Sequence, residues 1–206
     1  MNSGRPRFAD ERGSSAAEFA LVLPLFLLFL LGLIDVGRFV WGFSQLEKAT
    51  QTGTRWAVAT DMIPSDLIAY SFAVQGGLTQ GTVVPQSAFP GVHCVGSSAG
   101  TPTCTCMTAN GTCGFAMTAN ATAFSDLLSR VQQIYPSITA SNLNVDYTWS
   151  GLGFAGDPNG PDVAPIVTVS LQNMSFPMLF MLGTSVSLPT SRYSMTLEDG
   201  QGTASN

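Results

Sequence analysis

Four cysteines, Cys94, Cys104, Cys106 and Cys113, sit in one stretch rich in Gly, Ser and Thr, and they are the first residues to ask for chemistry. Their spacing, C-x9-C-x-C-x6-C, departs from the paired C-x2-C knuckles of common zinc sites. An even number of cysteines in a loop-rich segment suits two disulfides in an oxidising compartment, with free thiols or a metal as the alternative. Three connectivities are open, and a Cys104–Cys106 bridge is disfavoured because it closes a very small, strained ring. His93 is the only histidine and adjoins Cys94. A nucleophilic Cys–His pair needs a free thiol and an orienting third group, and nothing in the sequence supplies either. Asp157, Asn159 and Asp162 in GDPNGPD only faintly resemble the start of a calcium loop, lacking its full spacing and terminal glutamate. A turn between strands is the expectation there. Asn110, Asn120 and Asn173 begin formal glycosylation acceptors, which mean little if the source is bacterial. No phosphate-cradling Gly-rich loop is found at a strand-to-helix junction. The sequence therefore predicts no enzyme, no metal and no cofactor.

One more residue asks for a partner. Glu18 stands at the mouth of an apolar run, and a charge there costs about 2.5–3.5 kcal/mol at mid-span and less near the edge. Either it lies at headgroup level, or its carboxylate meets an α-amino group. Cleavage after Gly13 would leave a chain beginning SSAAEF, with Glu18 fifth and Phe19 sixth, and would create that amine at Ser14.

The element that positions Glu18 is a membrane helix. Phe19 to Ile34 are sixteen residues without charge, and the span reaches the required length of about 20 when continued to Phe43. Asp35 and Arg38, three apart, are neighbours on such a helix and partly neutralise one another. Trp41 suits the interface. Arg5, Arg7 and Arg12 precede the span, whereas only Lys48 and Arg55 follow closely, which predicts a cytoplasmic N-terminus and an exported C-terminal part. An ordinary cleaved signal is not expected, since the run is long and IDVGRFVWGF follows it without a small-x-small site.

Beyond the span, Phe43, Leu46, Thr50, Gly53 and Ala57 continue a helical stripe, with Ala49, Gly53 and Ala57 as a ridge of small residues. A short helix is predicted over 66–74, loop fastened by cysteines over 78–118, and an amphipathic helix over 124–135 ending at Pro136. Leu143, Val145, Tyr147 and Trp149 then alternate with polar residues. Val163, Val167, Val169 and Leu171 give a second face, and Tyr193, Met195 and Leu197 a third, as in an antiparallel sheet. SFPMLFMLG, residues 175–183, is too short to span and reads as a core-covering loop, with an apolar membrane-facing or partner-facing patch as the alternative. From Ala57 onward two arginines face eight acids, which argues against nucleic acid as a partner. The fold class is α+β: a long N-terminal helix followed by an antiparallel-sheet domain with a loop-rich, cysteine-containing insert.

The pattern RG-SSAAEFALVLPLFLLFLLGLIDVGRF, followed by LEKATQTGTRWAV, resembles the TadE-like family of minor pseudopilins of tight-adherence (Tad, type IVc) pili in bacteria. The resemblance covers about residues 12–59 and rests on Gly13, Glu18, Phe19, Pro24 and Gly37-Arg38 together. It implies a leader, residues 1–13, cut after Gly13 by a prepilin peptidase. It implies a transmembrane helix over 14–43 and an extracytoplasmic pilin-like domain over 44–206, anchored once in the bacterial inner membrane or built into the pilus. It also implies roles for Glu18 and Phe19 in assembly. The implied partners are that peptidase, other Tad pilins and pseudopilins, the inner-membrane assembly platform and the lipid bilayer. The competing reading is an uncleaved, signal-anchored protein that binds a ligand or adhesion target through 78–118.

Overall fold

The computed structural model describes residues 11–158, 160–180, 184–198 and 200–202, with side chains from Ser15 onward. Helix α1 (Glu11–Ala59) is a single α-helix of 49 residues, and it carries Pro24 inside it. The chain divides into two compact units, one of residues 1–41 with 176–186 and one of residues 42–175 with 187–206. Of the expected leader, residues 1–13, Met1 to Asp10 with Arg5 and Arg7 lie outside the described residues, as do Asn159 and residues 181–183.

The larger unit is built on a sheet. Strands β1 (Val92–Gly96), β2 (Pro102–Cys106), β3 (Leu143–Thr148), β4 (Ile166–Leu171) and β7 (Ser191–Thr196) form it in the order β2-β1-β3-β4-β7, with every pairing antiparallel. The alternation that marks β3 and β4 in the sequence buries Val145, Tyr147, Val167, Val169 and Leu171 completely. Two short strands, β5 (Ser175–Pro177) and β6 (Ser185–Ser187), pair separately as a hairpin.

Helix α3 (Ala121–Gln132) starts where Asn120 accepts the Ala123 N–H at 3.0 Å, and it buries Phe124, Leu127 and Val131. The ridge on α1 makes the closest approach: Ala49, Gly53 and Ala57 are buried, and a methyl group on Gly53 would lie 2.6 Å from Val131 Cγ1 and within contact of Leu127 and Val169. Glycine is therefore required at 53 by space, since any side chain would displace α3 or β4. The Thr50 hydroxyl donates to the Leu46 carbonyl at 2.8 Å and lies 2.9 Å from Ser191 Oγ. The Thr54 hydroxyl donates to the carbonyls of Thr50 (2.9 Å) and Tyr193 (3.2 Å). Both join α1 to the outermost strand, β7.

Helix α2 (Ser65–Ala69) is shorter than the sequence predicts. The Phe72 N–H is taken by the buried Asp162 carboxylate at 2.6 Å, and the chain turns instead of winding on. The cysteine-bearing stretch contains β1 and β2 as well as loop, so the loop expected over 78–118 carries the sheet's edge inside it. It also has apolar packing of its own: Phe72, Phe89 and Phe115 are buried with ring centroids 6.1–6.5 Å apart, and Tyr70 stacks edge-on to Phe72 at 4.9 Å.

Candidate functional site

The residues from Ser15 to Trp41 belong to the part of α1 in the smaller unit, and most of their side chains are bare. Phe19 is 64% exposed, Leu21, Leu25 and Leu28 are exposed, and so are Leu33, Val36 and Val40. Such a helix is not the core helix of a globular domain, because only 6% of its apolar window is buried. From Phe19 to Phe43 it is 25 residues, about 37 Å at 1.5 Å per residue, which is enough to cross a hydrocarbon core of about 30 Å. Pro24 removes one backbone donor without breaking the helix, a tolerance common in membrane helices. Gly13 and Ser14 lie on the first turns of α1, and Glu18 and Phe19 sit one turn further on, exposed.

Asp35 interrupts the bare surface. It is fully buried while its neighbours Ile34 and Val36 are about half exposed. Its carboxylate accepts the backbone N–H of Leu179 at 3.0 Å on Oδ1 and that of Phe180 at 2.8 Å on Oδ2. Arg38 Nη1 donates to Oδ1 at 3.2 Å, so the pairing expected from the i,i+3 spacing forms. The Arg38 guanidinium also lies over the Phe176 ring, 5.1 Å from its centroid, and Phe39 meets that ring edge-on at 5.9 Å. The turn closes where the Met178 N–H donates to the Thr184 carbonyl at 3.0 Å.

This clasp is the feature that the sequence reading missed. The spacing of Asp35 and Arg38 announces one partner, but the Leu179 and Phe180 N–H groups come from a segment 144 and 145 residues away. It also corrects the core-covering reading of 175–183 within its described part. Phe176 is buried, yet Leu179 and Phe180 are 61% and 40% exposed, so the tip covers no core; residues 181–183 lie outside the described residues.

The cysteines form Cys94–Cys104 and Cys106–Cys113 bridges. The first joins residues that face each other across β1 and β2, which the sheet register brings together. With Cys94 oxidised, no thiolate stands beside His93. The imidazole instead pairs through Nδ1 with Asp146, its partner across β1 and β3. Asp162, proposed as a faint calcium ligand, turns its carboxylate onto backbone N–H groups of Phe72, Gly156 and Asp157 at 2.6–2.9 Å. It fastens its own loop. Burial pushes the Tyr147 phenol far above its ordinary value, partly opposed by the Ile63 N–H donated to its oxygen at 3.0 Å.

The comparison with known families bears on this bare N-terminal helix. Residues 13–55 match the model of the family described as TadE-like protein. The similarity to TadE-like proteins covers this stretch of α1, 43 of the chain's 206 residues. Comparison with curated proteins and with solved structures gives no match. The matched residues contain Glu18, Phe19, Pro24, Asp35 and Arg38, whereas both disulfides and the Leu179–Phe180 tip lie beyond them.

Proposed function

We propose that the TadE-like chain is a minor pseudopilin, made as a precursor, inserted with a cytoplasmic N-terminus in the bacterial inner membrane and cut between Gly13 and Ser14 by a prepilin peptidase. The observation that carries the reading is the bare helix of residues 15–41 inside the TadE-like match. A helix with apolar side chains exposed over most of its surface is fit both to sit in lipid and to pass from lipid into a bundle of like helices. In either setting its apolar side chains remain out of water.

On this reading Glu18 pairs with the α-amino group released at Ser14, of its own chain or of a neighbour's, and so fixes the axial register of packed helices. Phe19 and the apolar residues after it supply the packing surface. The protein is the peptidase's substrate and a structural component that helps to start or cap assembly. Its partners are other Tad pilins and pseudopilins and the inner-membrane assembly platform, and no catalysis or cofactor is assigned to it. The two disulfides suit an extracytoplasmic location for the larger unit.

Intact mass and N-terminal sequencing of the protein from its native membrane or fibre test the reading. A chain beginning at Ser14 is expected. A chain still carrying Met1 to Gly13, from cells with an active peptidase, overturns it in favour of an uncleaved, signal-anchored binding protein.

A further inference from the structure

The Asp35 clasp holds two apolar side chains outward at a defined height on α1. Asp35 lies six residues before Trp41, about 9 Å along the helix axis. If Trp41, which is 69% exposed, stands at the membrane–water interface, then the clasp lies below it, at the level of the acyl chains. Resting on the reading of 19–43 as a membrane span, we propose that the tip formed by Met178, Leu179 and Phe180 is immersed in the non-cytoplasmic leaflet, a second membrane contact whose occupant is lipid acyl chain.

The argument is one of solvent continuity and polar satisfaction. Leu33, Ile34, Val36 and Val40 flank Asp35 and are exposed, so whatever medium surrounds them also surrounds the tip bonded to Asp35. Non-helical backbone can enter a leaflet, and then only shallowly, where protein meets its polar groups, and the N–H groups of 178–180 are so met. The Leu179 and Phe180 N–H groups are met by the carboxylate, and Met178 N–H by Thr184. The converse problem, a carboxylate within an apolar span, is met by the same two N–H groups and by Arg38. Each side supplies what the other lacks in hydrocarbon. In water neither would need the other, since an exposed carboxylate and exposed amides hydrate freely. The outward side chains, Leu179 and Phe180, are those of a segment that inserts shallowly in a leaflet.

The test uses the full chain in vesicles of phosphatidylethanolamine and phosphatidylglycerol, with bromine on the acyl chains of one preparation and none on the other. Phe180→Trp is placed in a Trp41→Phe background, leaving Trp56 and Trp149 as a constant signal in the larger unit. The inference expects the added emission to be blue-shifted, to be lost in brominated vesicles, and to resist iodide added to the water. Emission quenched by iodide and not by bromine would place the tip in water and overturn it. Emission quenched by neither would place it against another protein surface, such as a second copy, and overturn it equally. Leu27→Trp in the same background separates this inference from the one beneath it. If Leu27→Trp is quenched by bromine while Phe180→Trp is not, the span stands and the second contact fails; if neither is, the span itself fails. Adding Asp35→Leu to Phe180→Trp is expected to restore iodide quenching, because the tip is then no longer held.

Discussion

At the scale of single residues, Tyr147 joins chemistry to stability. Its hydroxyl oxygen is buried and receives the Ile63 N–H, so Tyr147→Phe leaves that donor without its acceptor and is expected to cost about 1–3 kcal/mol in thermal or denaturant unfolding of the full chain in detergent. The same burial fixes a pH dependence. The phenol titrates near 10 in the unfolded chain and well above that in the folded one. Above pH of about 10 the unfolded state therefore sheds the proton first, and stability falls as pH rises; below it the contribution is fully present. The alkaline fall should be shallower in Tyr147→Phe, which a pH series of midpoints would read. Gly53 makes the opposite kind of statement. In an exposed helix Gly→Ala gains about 1 kcal/mol, yet here the added methyl would meet Val131 at 2.6 Å. Gly53→Ala is expected to be destabilising by about 1–3 kcal/mol, as overpacked cores are, and a gain in midpoint would show that α3 yields freely.

At the scale of elements, the disulfides decide how the sheet ends. β2 is an edge strand, and its bond to β1 at Cys94–Cys104 holds it where the short ladder alone would fray. Replacing Cys94 and Cys104 together by Ala is expected to cost about 2–4 kcal/mol, with amide exchange rising first in β2. Equal protection of β2 and β4 in that variant would show the bridge to be dispensable. The legibility of the elements follows from how each is buried. The C-terminal part of α1, α3, β3, β4 and β7 announce themselves because their apolar residues recur at the period of the element. β1 and β2 do not, since each is five residues long, VHCVG burying only Val92 and Cys94 and PTCTC only Cys104. Three-residue strands such as β5 and β6 leave no period to read. At the site, the pair Asp35–Arg38 is legible from its spacing. The N–H groups that complete it are backbone atoms from distant sequence and leave no trace in residue type.

At the scale of the whole molecule, the proposed assembly role makes Glu18 separable from folding. Glu18 is exposed and lies far from the sheet in sequence. Glu18→Ala is expected to leave processing at Gly13 and the unfolding midpoint unchanged while abolishing recovery with other pilins. Copurification from cross-linked membranes, with N-terminal sequencing of the same sample, would check both halves. Normal recovery of the variant would remove Glu18 from assembly.

The contacts that seat α1 reach a long way along the chain. Thr50 meets Ser191, 141 residues later, and the end of the helix is tied at Asp61 to Gly202 through a 2.9 Å bond from Asp61 N–H and a 2.7 Å bond to its carboxylate. Ribosomes add about 5–20 residues per second, so about 7–28 s separate the making of those two partners. Throughout that interval α1 lacks β7, the strand to which Thr50 and Thr54 bond. On the proposed exported topology, the ties from α1 to β7 and to Gly202 are therefore among the last contacts that the growing chain can make.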